Sequence, residues 1–127
     1  MAEKKTLGSG ARIVAAALLI LWIAMVAVTL RAIAELGLGD LIPTFIGDFA
    51  HPWRAQFYSD FSVQLFLVAG WIVYRTKASA GGLLAALLAL ALGALFILPY
   101  ILAAFVAAGG NGRQLLLGRR FAEGRAD

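Results

Sequence analysis

The side chains best suited to chemistry lie in one stretch, residues 51–75, which holds the only His, two of three Trp and two of three Tyr. Within it, Gln56, Asp60 and Gln64 recur at intervals of four, which places them in one stripe on a helix face. An ionisable group at membrane depth normally faces a bundle interior and finds a partner, so the stripe is a candidate proton or ligand site. Its alternative role is structural, because the helix dipole favours an acid near a helix start.

Two neighbouring side chains, His51 and Arg54, complete this candidate polar site. An ionised Asp60 needs a cation or several hydrogen-bond donors, since otherwise its pKa rises and it becomes neutral. Arg31 is another possible cation, whereas Arg54 lies six residues before Asp60, nearly on the opposite helix face. We therefore expect Asp60 to rely on its two glutamine neighbours and to face the other helices rather than lipid.

No pattern in the chain predicts a catalytic, cofactor or metal site. His51, Asp48 and Glu35 match no recognised ligand spacing and supply one imidazole. Ser59 with Asp60 and His51 lacks the surroundings of a nucleophile elbow. Cysteine is absent, which excludes thiolate chemistry and disulfides. The sequence predicts a protein that is not an enzyme and has no cofactor.

The composition indicates a membrane protein. Of 127 residues, 62% are hydrophobic and 14% are charged, whereas soluble domains are about 45–50% apolar and about 25% charged. The net charge of +4 lies in the tails and loops. Basic flanks of this kind favour anionic lipid headgroups over nucleic acid as the partner.

Three uncharged or nearly uncharged segments predict an all-α integral membrane protein with three transmembrane helices. The first contains 18 uncharged residues between Arg12 and Arg31, about 27 Å of helix, close to the hydrocarbon thickness of about 30 Å. The expected spans are near 12–31, 55–75 and 82–108, within a membrane domain over 12–108 that a disordered basic tail (1–11) precedes and a basic tail (109–127) follows.

The segments between the first two spans are less regular. Residues 32–50 carry three acids, several glycines and Pro43, so we expect a short amphipathic helix in the interface, with a re-entrant segment as the alternative. A cleavable signal peptide is the alternative interpretation of the first span. Pro52 suits the first position of the next helix and keeps His51 out of helical geometry.

The third segment has no charge from Gly82 to Ala108. Ala85, Ala89 and Gly93 recur every fourth residue, which predicts a small-residue strip for close helix contact. Pro99 predicts a kink, and the backbone groups that it frees need a partner helix or water.

Three spans place the two ends of the chain on opposite sides of the cell membrane. Lys and Arg then divide five against six between the sides, so the charge rule barely distinguishes the orientations. We favour the N-terminus inside, because the first helix usually dominates.

A motif within residues 50–105 resembles that of a family of small three-span membrane proteins of unknown function. The likeness rests on Pro52-Trp53, Asp60-Phe61 and the Trp71-x-x-Tyr74-Arg75 ending, with Tyr100 in the last span. The resemblance implies a three-span fold and no known activity. Thr76 departs from the family, which has an acid there.

The residues are compatible with three functions. The first is a non-enzymatic accessory, assembly or structural subunit that packs against another membrane protein or a second copy of itself. The second is a protein that handles protons or small solutes at the Asp60 stripe. The third is an interfacial lipid-modifying enzyme that uses His51.

Overall fold

The computed structural model of the chain describes residues 6–125, so the start of the predicted basic tail lies outside the described part. Every regular element in that range is helical, as the sequence predicts. Three short 3-10 turns lie at Leu38–Asp40, Gly118–Phe121 and Glu123–Arg125, and the α-helices are α1 (Ser9–Leu36), α2 (Leu41–Asp48), α3 (Pro52–Arg75), α4 (Ala80–Leu92), α5 (Ala94–Ala107) and α6 (Gly112–Leu117).

Two helices, α1 and α3, are long and apolar enough to cross a membrane. The 28 residues of α1 have neither Gly nor Pro between Ala11 and Leu36, and the helix ends at Gly37, whose φ is +76°. The α3 helix has 24 residues and begins at Pro52. His51 precedes it in extended geometry, with φ −97° and ψ 117°, which confirms the expected helix start.

Between them, a short helix forms where the sequence predicts one. The α2 helix covers Leu41–Asp48 and follows the turn at Leu38–Asp40. Phe45 and Phe49, one turn apart, both place their rings against the ring of Tyr58 in α3, with centroids 4.9 and 5.7 Å away. These aromatic contacts dock α2 on the first turns of α3.

Residues 82–108 do not form the single helix that the sequence predicts. The interruption lies at Gly93, six residues before Pro99, and separates α4 from α5. Gly93 has φ 57° and ψ −134°, a conformation that is essentially restricted to glycine. The reason is local. An uncharged apolar run is compatible with one helix or with two, and the non-helical conformation of Gly93 ends the first helix and begins a second.

The α5 helix runs back alongside α4 rather than continuing it. At its start, a Cβ on Gly93 would lie 3.3 Å from the Phe61 ring. Seven residues later, the hydroxyl of Tyr100 lies 2.8 Å from Nη1 of Arg75. Phe61 and Arg75 are separated by about 21 Å along α3, so only a reversal at Gly93 brings both contacts about.

The α1 helix lies antiparallel to α5. Trp22 contacts Leu95 near the start of α5, and a Cβ on Gly110, just after α5, would meet Ala11 near the start of α1. The bundle therefore has two distinct ends. At the basic end, α1 and α4 begin while α3 and α5 end; at the α2 end, α1 ends and α3 begins.

A hydrogen bond from α1 replaces the backbone hydrogen bond that Pro99 removes from α5. Pro99 has no backbone N–H, so the carbonyl of Leu95, four residues earlier, lacks its helical donor. The indole N–H of Trp22 donates to that carbonyl at 3.0 Å. A partner helix thus supplies the donor that the sequence requires, and the bond ties α1 to the hairpin of α4 and α5.

The tightest packing joins α3 to α4. Ile72 is fully buried, and Ala69, Ala86 and Ala89 are buried around it. Gly82 allows the closest approach, because a Cβ there would overlap the side chain of Thr76. Small residues on α4 therefore bring the two backbones together without a large apolar core.

Candidate functional site

The candidate polar site at the start of α3 divides into separate parts. Arg54 donates to Asp48 at 2.6 Å, and the Tyr58 hydroxyl donates to the same carboxylate at 3.0 Å. The hydrogen bond from Arg54, followed by that from Tyr58, lowers the pKa of Asp48 below its ordinary value near 3.8. Sequence reasoning missed Asp48 as the partner of Arg54, although the two are six residues apart across a turn.

His51 lies near Asp48, and its charge is the weakest of the influences that lower the pKa of that carboxyl. Its side chain does not cap α3, and the residue is exposed. Within the described residues, no group of three or more His, Cys, Asp or Glu side chains could hold a metal ion.

The Asp60 stripe lies on the outside of the bundle. Gln56, Asp60 and Gln64 are all exposed, and the amide of Gln64 donates to Asp60 at 3.1 Å. At about 100° per residue, Asp60 lies on nearly the opposite side of α3 from buried Ala69 and Ile72. This corrects the prediction that Asp60 faces the other helices: the face of α3 that α4 covers carries small and apolar residues instead.

No cation from the α2 end reaches Asp60. Arg54 bonds to Asp48, and Arg31 bonds to Glu35 at 2.7 Å, one turn along α1. Both arginines that the sequence offered are therefore paired elsewhere. Among the described residues, the side-chain hydrogen bond of Asp60 comes from Gln64 alone.

The predicted packing strip lies partly within the contact with α3. Ala89 is fully buried, whereas Ala85 is half-buried beside the core. Gly93 forms the turn of the hairpin next to Phe61. The residues of α4 buried against α3 are Gly82, Ala86 and Ala89. The buried face therefore shares Ala89 with the predicted strip but contains Ala86 in place of Ala85.

A second group of polar and aromatic side chains gathers at the basic end, around Arg75. The Arg75 guanidinium donates from Nε to the carbonyl of Leu115 at 3.0 Å and from Nη1 to the hydroxyl of Tyr100 at 2.8 Å. It also lies 5.4 Å from the Trp71 ring and 5.5 Å from the Tyr100 ring, within cation–π range. Arg75 therefore joins α3 and α5 to the C-terminal segment.

The C-terminal segment is held at several further points. The Trp71 indole donates to the carbonyl of Leu116 at 3.1 Å. Arg120 donates to the carbonyl of Tyr74 at 2.8 Å, and its guanidinium lies 4.4 Å from the ring of that tyrosine. Lys77 forms an ion pair with Glu123. Residues 112–123 thus lie folded against the end of α3.

An open cleft of about 340 Å³ lies between α3, α5 and the C-terminal segment. Its polar side carries Arg75, Gln114 and Arg119, and its apolar side carries alanines of α5. Sequence reasoning singled out Trp71, Tyr74 and Tyr100, but only through the family resemblance. The contact with a segment some 40 residues away has no local signal.

Comparison with known proteins found no matching family model, no matching curated protein and no matching solved structure. The resemblance to small three-span proteins therefore stays a prediction.

Proposed function

We propose that the chain is an integral membrane protein with two complete crossings, α1 and α3, and a hairpin of α4 and α5 that enters from the basic end. The length and apolar composition of α1 and α3 support the crossings. No residue of α1 is buried in the isolated chain, and its large apolar side chains need a cover that lipid provides. A soluble fold would leave this surface in water.

The hairpin reaches about the middle of the membrane in this arrangement. Its helices have 13 and 14 residues, about 20 Å each, too short for a crossing of about 30 Å. Gly93 lies beside Phe61 and Leu65, near the centre of α3. The reversal at Gly93 argues against the third crossing that the sequence predicts.

This topology assigns an orientation. Both described termini and the loop between α3 and α4 lie at the basic end. Of the eight Lys and Arg residues at positions 6–124, only Arg31 and Arg54 belong to the α2 end; the six at the basic end are Arg12, Arg75, Lys77, Arg113, Arg119 and Arg120. The positive-inside rule then places the basic end in the cytoplasm.

Within the membrane, the chain acts as a non-enzymatic accessory or assembly subunit that binds a partner through the Asp60 stripe. The observation that carries this proposal is the exposed Asp60–Gln64 pair on the outer face of α3. A carboxylate beneath the headgroups normally pairs with other polar groups, and the two arginines of the α2 end are bonded to other acids. The partner is therefore a transmembrane helix that presents hydrogen-bond donors or a cation.

Two substitutions test this role, with co-purification of partners from the native membrane in mild detergent as the measurement. Asp60→Asn keeps most of the hydrogen bonding and should retain the partner, whereas Asp60→Leu should lose it. Phe66→Leu is the control, because Phe66 is an exposed apolar residue of α3 away from the stripe. Retention of the same partner by Asp60→Leu would overturn the proposal.

The identity of the captured chain decides between two partners. Self-association would appear as an oligomer of this chain alone that Asp60→Leu dissociates. A different membrane protein in fixed proportion would identify an assembly role. A strictly monomeric wild-type particle with no partner would also contradict the proposal.

A further inference from the structure

The half-buried guanidinium of Arg75 has donors left over. An arginine side chain has five N–H groups, and two of them serve the Leu115 carbonyl and the Tyr100 hydroxyl. Within the described residues, no carboxylate forms an ion pair with Arg75. A partly buried cation without a counter-charge is costly, so the cleft beside it favours an anion.

The rest of the cleft extends this preference. Arg119 is exposed on its rim and makes no hydrogen bond or ion pair with any other described residue. Gln114 lines the same wall and carries a side-chain amide that can donate. Two guanidinium groups and an amide thus face one cleft that contains no acidic side chain.

The opposite wall is apolar and shallow. Ala104, Ala107 and Ala108 of α5 line it, and Ala107 is exposed. Next to them on α5, Val106 is 48% exposed. A ligand with a hydrocarbon chain could therefore leave the cleft along α5 without entering water.

We propose that this cleft binds an anionic phospholipid of the leaflet at the basic end. Arg75 and Arg119 hold the phosphate, Gln114 donates a hydrogen bond, and one acyl chain lies along the alanines of α5. Guanidinium groups recognise phosphate through paired, charge-assisted hydrogen bonds, and the cytoplasmic leaflet carries the anionic lipids. The inference rests on the proposed membrane topology, but it concerns a site distinct from the Asp60 stripe.

The apolar wall favours a lipid over free phosphate. Inorganic phosphate would use the polar side of the cleft and gain nothing from the alanines. A phospholipid matches both sides, and it would bridge α3, α5 and the C-terminal segment. Binding should therefore depend on the acyl chain as well as on the phosphate.

The test compares lipid retention by the full chain, purified in detergent and mixed with phosphatidylglycerol or phosphatidylcholine, by native mass spectrometry. Wild type should retain phosphatidylglycerol selectively, and Arg119→Gln should weaken that retention about tenfold, as expected for one charged hydrogen bond. Arg113→Gln is the matched control, because it removes the same charge from the same segment but lines a different depression. It should change retention less than about twofold, since its contribution is long-range and screened.

Equal losses in Arg119→Gln and Arg113→Gln would overturn the proposal in favour of a diffuse surface charge. Displacement of the lipid by millimolar inorganic phosphate would show a phosphate site instead of a lipid site. Ala104→Leu, which fills the space beside the apolar wall, should reduce lipid retention without changing the binding of inorganic phosphate. Asp60→Leu should leave lipid retention unchanged. The lipid site can therefore fail its test independently of the partner proposal, which is tested by co-purification.

Discussion

The two ends of the molecule use arginine in opposite ways. At the α2 end, Arg31 and Arg54 each bond to an acid, Glu35 and Asp48, so the positive charge is neutralised. At the basic end, Arg75 and Arg120 bond to backbone carbonyls and lie against aromatic rings. Within the described part of the chain, no acid forms an ion pair with either of these arginines.

The contrast means that the two ends differ in the net positive charge that their arginines present. Arginine that binds carbonyls and rings anchors a segment and still contributes its full charge to that side of a membrane. Arginine that binds a carboxylate anchors a segment without adding net charge. The charge difference between the ends therefore comes from the choice of partner as well as from the number of basic residues.

The largest effect should follow from removing the turn that brings the C-terminal segment to the basic end. Gly93→Ala forces an unfavourable backbone conformation and should lower the free energy of unfolding by about 2 kcal/mol. Thermal unfolding in detergent measures the loss. Gly81→Ala is the control, since a Cβ there meets no atom within 4 Å; an equal loss in both variants would contradict the account.

An effect of similar size should separate the arginines of the two ends in their contributions to the free energy of unfolding. Arg75→Gln removes two hydrogen bonds from a half-buried cation and should cost about 2 kcal/mol. Arg54→Gln removes an ion pair whose arginine side chain is 63% exposed, and such pairs contribute little. Hydrogen exchange of the amides in 114–118 should accelerate in Arg75→Gln only; acceleration in both would remove the distinction between the ends.

A smaller effect should come from the bond that ties the hairpin to α1. Trp22→Phe leaves the Leu95 carbonyl without its donor and should cost about 1 kcal/mol. Pro99→Ala restores a backbone N–H that can serve this carbonyl. In a double-mutant cycle, Trp22→Phe should therefore cost less in the Pro99→Ala background, and an unchanged cost would show that the indole matters only through packing.

The smallest effect is a dependence on pH at the α2 end. Because the folded state lowers the pKa of Asp48, its stabilising contribution is present above the unfolded pKa near 3.8. It is lost as the pH falls through the lower folded value. Acid should therefore loosen α2 from α3 while the contacts of Arg75, which involve no carboxylate, persist. Hydrogen exchange of amides at both ends, compared between pH 6 and pH 3, measures this loosening. In Asp48→Asn, the contact between α2 and α3 should not depend on pH in this range.

Local signals were enough for part of this structure. Pro52 marks the start of α3 through its own backbone preference, and an uninterrupted apolar run predicts α1, although that helix continues past residue 31 and ends at Gly37. The prediction of α3 required a shorter apolar run to be extended back to a start near residue 55. The turn at Gly93 could not be predicted, because an isolated glycine in an uncharged helical pattern is compatible with a continuous helix. Its φ and ψ depend on the neighbours that the fold provides.

The polar site shows a second limit. Spacing correctly groups Gln56, Asp60 and Gln64 on one face of a helix, but it does not determine which face packs against the rest of the chain. That choice depends on the small residues Gly82 and Ala86 of α4, which fit the opposite face of α3. Likewise, the contacts of Arg75 with Tyr100 and Leu115 join residues 25 and 40 positions apart.

In the proposed topology, both ends of the described chain lie on the same side of the membrane. Cysteine accessibility at position 112 distinguishes this topology from one with a third crossing. The chain has no native cysteine, and a Cβ at Gly39, Gly81 or Gly112 meets no neighbouring atom. In intact cells, a membrane-impermeant maleimide should label Gly39→Cys, whereas Gly81→Cys and Gly112→Cys should react only after permeabilisation. Labelling of Gly112→Cys together with Gly39→Cys in intact cells would indicate a third crossing and contradict the account.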